Sequence, residues 1–241
     1  MHSSERTYSH RTPQKGARIV STLVIDLETL PLASALAAPY PESERPHPQN
    51  YKAPEAIAGW REKDRAAWQE QRVKECSLTP RLGRIACIGV AEDDKDVMVL
   101  SSATEDGERA MLTRAWDYVL SASRIVGFNS SFDLRFLVIR SIANGITFDN
   151  MERGKVRDWF KRYTTYPHFD CRAVLTGWDD RQSGKLHEWC ATFGIPVGDM
   201  TSGADVYAFA QMGQWDKIAA HCKSDIELTR ELYRRVSPLF A

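Results

Sequence analysis

The chain has 241 residues, of which 43% are apolar and 27% charged, a composition typical of one large globular domain or two small ones. Its formal net charge is zero, which argues against a protein that grips a long duplex through many phosphates but not against one that handles a short end. No apolar run approaches the ~20 residues of a membrane span, so no membrane partner is expected.

The N-terminus and the cysteines indicate where such a protein works. Residues 1–18 are polar and lack the apolar core of a signal peptide, so we expect a flexible tail followed by one domain over 19–241. The five cysteines are scattered and odd in number, which argues against a disulfide framework and against a zinc site. They are expected to be reduced thiols in a cytoplasmic protein.

Hydrophobic patterns predict an α/β fold with a mixed sheet flanked by helices. An acidic turn joins the second and third strands as an antiparallel hairpin, and a strand-helix-strand step then favours a parallel pair. Prolines make the segment between the first strand and the first helix irregular. Strands are predicted over 19–27, 84–91, 97–100 and 124–128, and helices over 54–76, 105–121, 132–144, 170–178, 185–193, 204–212 and 215–236.

Two carboxylates interrupt the first predicted strand, in the run Leu23-Val24-Ile25-Asp26-Leu27-Glu28-Thr29. Residues two apart on a strand point to the same face, so Asp26 and Glu28 should lie side by side. Adjacent carboxylates resist ionising together, and a bound Mg²⁺ or Mn²⁺ would offset that cost because such ions prefer hard oxygen ligands. The alternative is an ordinary solvated pair at a strand end.

A third acid follows the fourth strand, in the segment Asn129-Ser130-Ser131-Phe132-Asp133. Asp133 would lie in the first turn of a helix, where the helix dipole favours a negative charge, and Asn129 or Ser130 is expected to cap that helix. These structural roles stand beside functional ones, a metal ligand at Asp133 and a substrate contact at Asn129.

A fourth acid lies on the last helix, in the segment His221-Cys222-Lys223-Ser224-Asp225. Residues four apart share a helix face, so His221 and Asp225 should look the same way. The pair is either a hydrogen-bonded structural pair or part of a catalytic site.

The order of these motifs resembles the DEDD superfamily of 3′-5′ exonucleases, which have a ribonuclease H-like fold. Asp26, Glu28, Asp133 and Asp225 match its four defining acids. The runs NYKAPEAI (50–57), LTPRLGRI (78–85) and HCKSDIELT (221–229) look like stand-alone exonucleases related to the proofreading domain of family B DNA polymerases. By this resemblance, residues 31–77 form a helical insertion after the first strand that walls the substrate groove.

The histidine departs from the superfamily pattern. One branch has tyrosine four residues before the last acid and the other has histidine five before it, whereas here His221 lies four before Asp225. We expect His221 to act as the general base at the tyrosine position, because a neutral imidazole is a better base than a phenol near pH 7.

The resemblance also implies a two-metal-ion mechanism that releases nucleoside 5′-monophosphates from a 3′ end, with two Mg²⁺ or Mn²⁺ ions ~3.5–4 Å apart. Asp26 would bridge both ions, and Asp133 would hold the second. Glu28 and Asp225 would complete the site of the ion that activates water.

Single-stranded DNA, or a 3′ end, is the expected partner. The segment from 155 to 163 interleaves bases and aromatics, which suits a single strand, although an ordinary solvated basic face has the same composition. Phe132 either stacks on the terminal base or fills the core. The candidate substrate-binding residues are Leu27, Thr29, Asn129, Phe132, Arg157, Lys161 and Arg162.

Two other functions fit part of this pattern, whereas the helix with His221 and Asp225 four residues apart argues against a third, a ribonuclease H-like endonuclease. An exoribonuclease would use the same acids on RNA, and the sequence contains no clear signal for a 2′-hydroxyl. An inactive exonuclease-like module that binds nucleic acid would have lost one or more acids, whereas all four are present and only the position of His221 favours it. The sequence leaves the oligomeric state open.

Overall fold

The computed structural model describes residues 20–179, 181–182, 184–198 and 201–240, so the expected tail over 1–18 lies outside the described residues. Within those ranges the strands are β1 (Val20–Pro31), β2 (Gly83–Glu92), β3 (Met98–Ser101), β4 (Ala122–Gly127) and β5 (His168–Asp170). They form one sheet in the order β3-β2-β1-β4-β5.

β1 is the central strand of this sheet. It pairs antiparallel with β2 and parallel with β4, while β3 is antiparallel to β2 and β5 is parallel to β4. β1 continues past its predicted end at residue 27, because β2 stays paired with it as far as Pro31. The predicted mixed sheet is confirmed.

Helices cover both faces of the sheet, as predicted. They are α1 (Ala33–Leu36), α2 (Pro54–Ser77), α3 (Glu105–Ser121), α4 (Ser130–Ala143), α5 (Asn150–Trp159), α6 (Cys171–Leu175), α7 (Leu186–Thr192), α8 (Val206–Gln211) and α9 (Trp215–Phe240). Apolar side chains of α3, α4 and α5 pack against one face, and those of α6 to α9 against the other. Over the described ranges, no helix is both long and apolar enough to cross a membrane.

Alternate residues of β1 face these two layers. Ile25 and Leu27 are buried with residues of α3 and α4, whereas Val24 is buried with residues of α9. Because side chains alternate along a strand, Asp26 and Glu28 belong to the face that α9 covers.

α9 crosses the sheet very close to β2 at Gly89. A Cβ at this position would lie 2.7 Å from Cys222 Sγ and 2.9 Å from Ile226 Cγ1, so a larger residue would force these side chains, or α9 itself, to shift. Gly89 pairs with Asp26 across the β1–β2 ladder. The closest approach of α9 to the sheet is therefore directly beside the acidic part of β1.

The segment between β1 and β2 folds back on its own long helix, α2. Arg45 donates to both carboxylate oxygens of Asp64 at 2.6 and 2.7 Å, and Tyr40 packs edge-on against Trp68 with ring centroids 5.7 Å apart. The hydrogen bonds from Arg45 lower the pKa of Asp64 to about 2. The segment predicted to be irregular contains α1 and a 3-10 helix (Glu42–Glu44), so that prediction is wrong in detail.

β5 has no counterpart among the predicted strands. Three residues are too few to show an alternating pattern. The helix predicted over 170–178 is shorter than expected, because Asp170 ends β5 and because Gly177 and Trp178 adopt left-handed φ angles of 61° and 57°.

A buried ion pair ties β2, α3 and α4 together. Glu108 is fully buried, and its Oε1 accepts hydrogen bonds from Ile85 N at 2.7 Å and Arg140 Nε at 3.0 Å. Its Oε2 accepts from Arg140 Nη2 at 2.6 Å and Asn144 Nδ2 at 3.0 Å. Each carboxylate oxygen therefore has two donors, which compensates for its removal from water.

Arg140→Leu should lower the free energy of unfolding by about 3–5 kcal/mol, because Glu108 would keep a buried charge without its main partner. Urea denaturation of the purified variant measures this loss. Arg135→Leu, at an exposed position of the same helix, is the matched control and should change the free energy by no more than about 0.5 kcal/mol. Equal losses in the two variants would contradict the role of the buried pair.

Candidate active site

The two acids of β1 form the floor of the candidate site. Glu28 is buried, and Asp26 is partly accessible although its Oδ2 atom is enclosed and has no hydrogen-bond partner among the described residues. The ladder with β2 shifts register between Glu28 and Thr29, directly after the second acid. A register shift re-aims side chains locally, and such irregularities are frequent beside active sites.

Asp133 enters the site from the first turn of α4, as predicted, and is buried. The residue before the helix, Asn129, has a left-handed backbone with φ 60°. The predicted side-chain cap by Asn129 or Ser130 is wrong. The Asn129 side chain accepts a hydrogen bond from Arg172, and the Ser130 hydroxyl pairs with His168 Nε2 at 2.8 Å.

Asp170, which the sequence analysis did not select, holds the start of α4 instead. Its carboxylate accepts hydrogen bonds from Asn129 N at 2.9 Å and Ser131 N at 3.0 Å. It also caps α6, accepting from Arg172 N at 3.1 Å and Ala173 N at 3.2 Å. An Asp directly before a short helix signals the second role, whereas the first depends on a contact between distant segments.

Asp170→Ala should lower the free energy of unfolding by about 1–4 kcal/mol, because it removes the caps of two helices at once. It should also lower any cleavage activity, because Asp133 lies in the first turn of α4, which Asp170 holds in place. Asp149→Ala is the control: it removes the cap of α5 alone, should cost about 1 kcal/mol, and should leave activity unchanged. Urea denaturation and cleavage rates measure both effects, and a wild-type rate for Asp170→Ala would contradict the positioning role.

α9 supplies the last two candidate residues. His221 is buried, with Nε2 3.5 Å from Glu28 Oε1 and Nδ1 3.9 Å from Asp225 Oδ1. Asp225 is more accessible, with 28% of its side chain exposed. His221 therefore lies between an acid of β1 and an acid of its own helix.

Burial and mutual repulsion raise the pKa values of three acids. Burial, followed by the charge of Asp225, raises the pKa of Asp26 from 3.8 to about 7. Burial raises the pKa of Glu28 well above its usual range, with further contributions from Asp26 and Asp225. Burial also raises the pKa of Asp133, together with the charges of Asp26 and Asp170. Acids from three separate segments of the chain thus act on one another.

The donor set fits a hard divalent cation. In the described part of the chain, no three His, Cys, Asp or Glu side chains are arranged closely enough to hold a metal ion as they stand. The buried Asp26 Oδ2 nevertheless lacks a hydrogen-bond partner there, and the raised pKa values belong to carboxylates that a positive charge would stabilise. Carboxylate oxygens are the ligands that Mg²⁺ and Mn²⁺ prefer.

The other candidate residues lie in different settings. Leu27 is buried on the face opposite the acids, and Thr29 donates its hydroxyl to Ser77 O at 2.7 Å. Phe132 is partly buried, with its ring centroid 5.2 Å from that of Phe136. Their contact with a substrate remains a prediction. The basic candidates on and after α5 are all exposed: Arg157, Lys161 and Arg162.

Comparison with known families identifies the group of proteins to which the chain is related. A family model described as a predicted 3′-5′ exonuclease related to the exonuclease domain of PolB matches residues 78–239. The chain belongs to this family. The match includes Asp133, His221 and Asp225, whereas Asp26 and Glu28 precede it. Membership in this PolB-related exonuclease family supports a nuclease of that kind, with a nucleic acid as its substrate.

Two further proteins are similar to this PolB-related chain. An uncharacterized protein of Methanocaldococcus jannaschii is 30% identical over an alignment of 174 residues, which covers 67% of this chain and 90% of that protein. The family B DNA polymerase of the hyperthermophilic archaeon Pyrobaculum calidifontis superposes on 90% of this chain with a TM-score of 0.55 and 16% identity. The chain spans 24% of that polymerase, and the likeness confirms the predicted ribonuclease H-like fold.

Proposed function

We propose that this chain is a metal-dependent 3′-5′ exonuclease that hydrolyses phosphodiester bonds from the 3′ end of single-stranded DNA, and that residues 19–241 form its single domain. The observation that supports this most is the meeting of four acids from β1, α4 and α9. The charges of Asp26, Glu28, Asp133 and Asp225 act on one another although the chain places them up to 199 positions apart, from 26 to 225.

These four acids would hold two Mg²⁺ or Mn²⁺ ions. When bound, such ions activate a water molecule and stabilise the leaving oxygen of the phosphodiester. Within the chain itself, Asp26 offers an enclosed oxygen without a hydrogen-bond partner in the described part, and 28% of the Asp225 side chain is exposed to solvent.

His221 is suited to take the proton from the attacking water. A neutral imidazole carries one donor and one acceptor nitrogen, so one ring nitrogen is able to accept a proton. Glu28 lies 3.5 Å from Nε2 and Asp225 lies 3.9 Å from Nδ1. Two flanking carboxylates would orient the ring and stabilise the charge that it gains with the proton.

The rest of the proposed site guides the strand. Arg157 and Arg162 are exposed, and Lys161 is ion-paired with Asp158 at 2.9 Å. Exposed guanidinium groups bind phosphates well because they are always charged and present several donors. We assign phosphate contacts to these basic residues and a contact with the 3′-terminal nucleotide to Asn129.

A 5′-labelled single-stranded DNA oligonucleotide tests the reaction. With Mg²⁺ or Mn²⁺ the products should form a ladder that shortens from the 3′ end, and a chelator or a blocked 3′ end should abolish it. An RNA oligonucleotide of the same sequence and a closed circular DNA are run in parallel.

Each other outcome would assign a different function. Faster degradation of the RNA would make the protein an exoribonuclease, and cleavage of the closed circle would contradict an exonuclease. A folded protein that binds the oligonucleotides and cleaves none would be an inactive binding module.

A further inference from the structure

The loop between α5 and β5 exposes three aromatic side chains. Phe160, Tyr163 and Tyr166 are 43%, 69% and 59% exposed. Scattered exposed rings are ordinary, but three within seven residues form a local apolar surface on a polar part of the chain. One of them has a cationic neighbour, since the Arg124 guanidinium lies 5.5 Å from the Tyr166 ring centroid.

The most exposed ring, that of Tyr163, belongs to a strained pair. Tyr163 and Trp178 both have left-handed backbones, with φ angles of 60° and 57°, and their ring centroids are 5.8 Å apart at an interplanar angle of 61°. A left-handed backbone is unfavourable for bulky residues, and backbone strain of this kind is found more often at functional sites. Trp178 is partly buried and packs against a core cluster that includes residues of α9, so one ring of the pair is held by the core.

The segment that carries Tyr163 is rich in positive charge. From 153 to 163 the chain carries five Arg or Lys residues and one acid, in a protein whose net charge is zero. The acid, Asp158, is already ion-paired with Lys161. Arg157 and Arg162 extend into solvent. The aromatic loop therefore belongs to a basic segment. This combination favours a nucleic acid strand, which carries negatively charged phosphates and flat bases.

Hydrogen bonds connect the ring pair to the candidate active site. Trp178 N donates to Ala173 O at 2.7 Å, and Ala173 N donates to the Asp170 carboxylate that also holds α4. Arg172 reaches the Asn129 side chain at 3.2 Å. The ring pair is therefore linked through α6 to the Asp170 carboxylate that holds the start of α4 and, with it, the turn that carries Asp133.

We propose that Tyr163 and Trp178 form a stacking platform for the bases of a single strand on the 5′ side of the cleaved nucleotide. Arg157 and Arg162 contact its phosphates. The inference rests on the proposed function and adds the route of the strand. Aromatic stacking accepts every base, so the platform selects single strands, whose bases are unpaired, without selecting a sequence.

Tyr163→Gly tests the platform, because glycine removes the ring and adopts the left-handed backbone without strain. The Michaelis constant for a single strand of about 12 nucleotides should rise by about 5- to 150-fold, as expected for the loss of one stacked base. The kcat and the KM for a dinucleotide should not change. Tyr163→Phe keeps the ring and should keep the original KM. Phe240→Ala removes another exposed ring, 46% accessible and at the end of α9, and is the control.

The outcomes separate this inference from the proposed function. Equal KM values for Tyr163→Gly and the unmodified protein would overturn the platform while leaving the exonuclease in place. If no substrate is cleaved, fluorescence anisotropy of the same labelled strand decides, and equal affinities again overturn the platform. Urea denaturation should show that Tyr163→Gly is at least as stable as the unmodified protein. A change in its oligomeric state would assign the rings to contacts between copies instead.

Discussion

Asp26→Ala and Asp225→Ala should each lower the rate of 3′-end cleavage by at least about 10³-fold while the protein stays folded. Each substitution removes a carboxylate that would hold the ions, and the ions supply several kcal/mol of transition-state stabilisation. Neither carboxylate is needed for folding, since Asp26 is repelled by its neighbours and Asp225 is partly exposed. Single-turnover cleavage of a 5′-labelled strand measures the rate, and circular dichroism checks the fold.

Glu227→Ala is the matched control for this experiment. Glu227 lies on α9 two positions after Asp225, and its side chain is 51% exposed. The Glu227→Ala variant should cleave the strand at the rate of the unmodified protein. If either Asp26→Ala or Asp225→Ala cleaves as fast as the unmodified protein, the substituted acid has no role in the reaction.

The metal-free protein should lose stability as the pH rises from 5 to 8. The pKa of Asp26 is raised from 3.8 to about 7 in the fold, so the folded state holds this proton more tightly than the unfolded chain does. The stabilisation by that proton is complete below about pH 4 and is lost as the pH rises through 7. Asp64, whose pKa is lowered to about 2, titrates below this range.

Mg²⁺ or Mn²⁺ should reverse the loss, and more strongly at pH 8 than at pH 5, because the ions bind the ionised acids of the folded state. Urea denaturation at several pH values, with chelator or with added ion, measures both effects. Asp26→Asn should flatten the pH dependence and weaken the stabilisation by metal. A free energy of unfolding that stays constant over this pH range in chelator would contradict the raised pKa of Asp26 in the folded state.

The elements with a clear hydrophobic period were predictable. The helix expected over 105–121 is α3 (Glu105–Ser121), and the helix expected over 54–76 ends one residue later, at Ser77. The alternation of β1 likewise places its two acids on one face. The same alternation puts Leu27 on the opposite face, where it is buried in the core.

The missed features depend on contacts between distant segments. β5 is three residues long and is defined by its pairing with β4, so no local pattern reveals it. The caps of α4 come from Asp170, 41 residues beyond Asn129, whereas sequence rules consider only neighbouring side chains. The left-handed Tyr163 and Trp178 are also invisible in the sequence, because glycine is the residue that normally marks such a backbone.

The absence of a side chain at Gly89 has a geometric consequence for chemistry. Gly89 stands opposite Asp26 in the ladder and beneath Cys222 of α9, which is the residue after His221. The short spacing between α9 and the sheet at this point thus depends on the glycine side chain, which is a single hydrogen atom. A Cβ at Gly89 would clash with the side chains of Cys222 and Ile226, and relief of that clash by a shift of α9 would also move His221 and Asp225. Gly89 contributes no functional group, but its small size permits the short distance between the acids of β1 and those of α9.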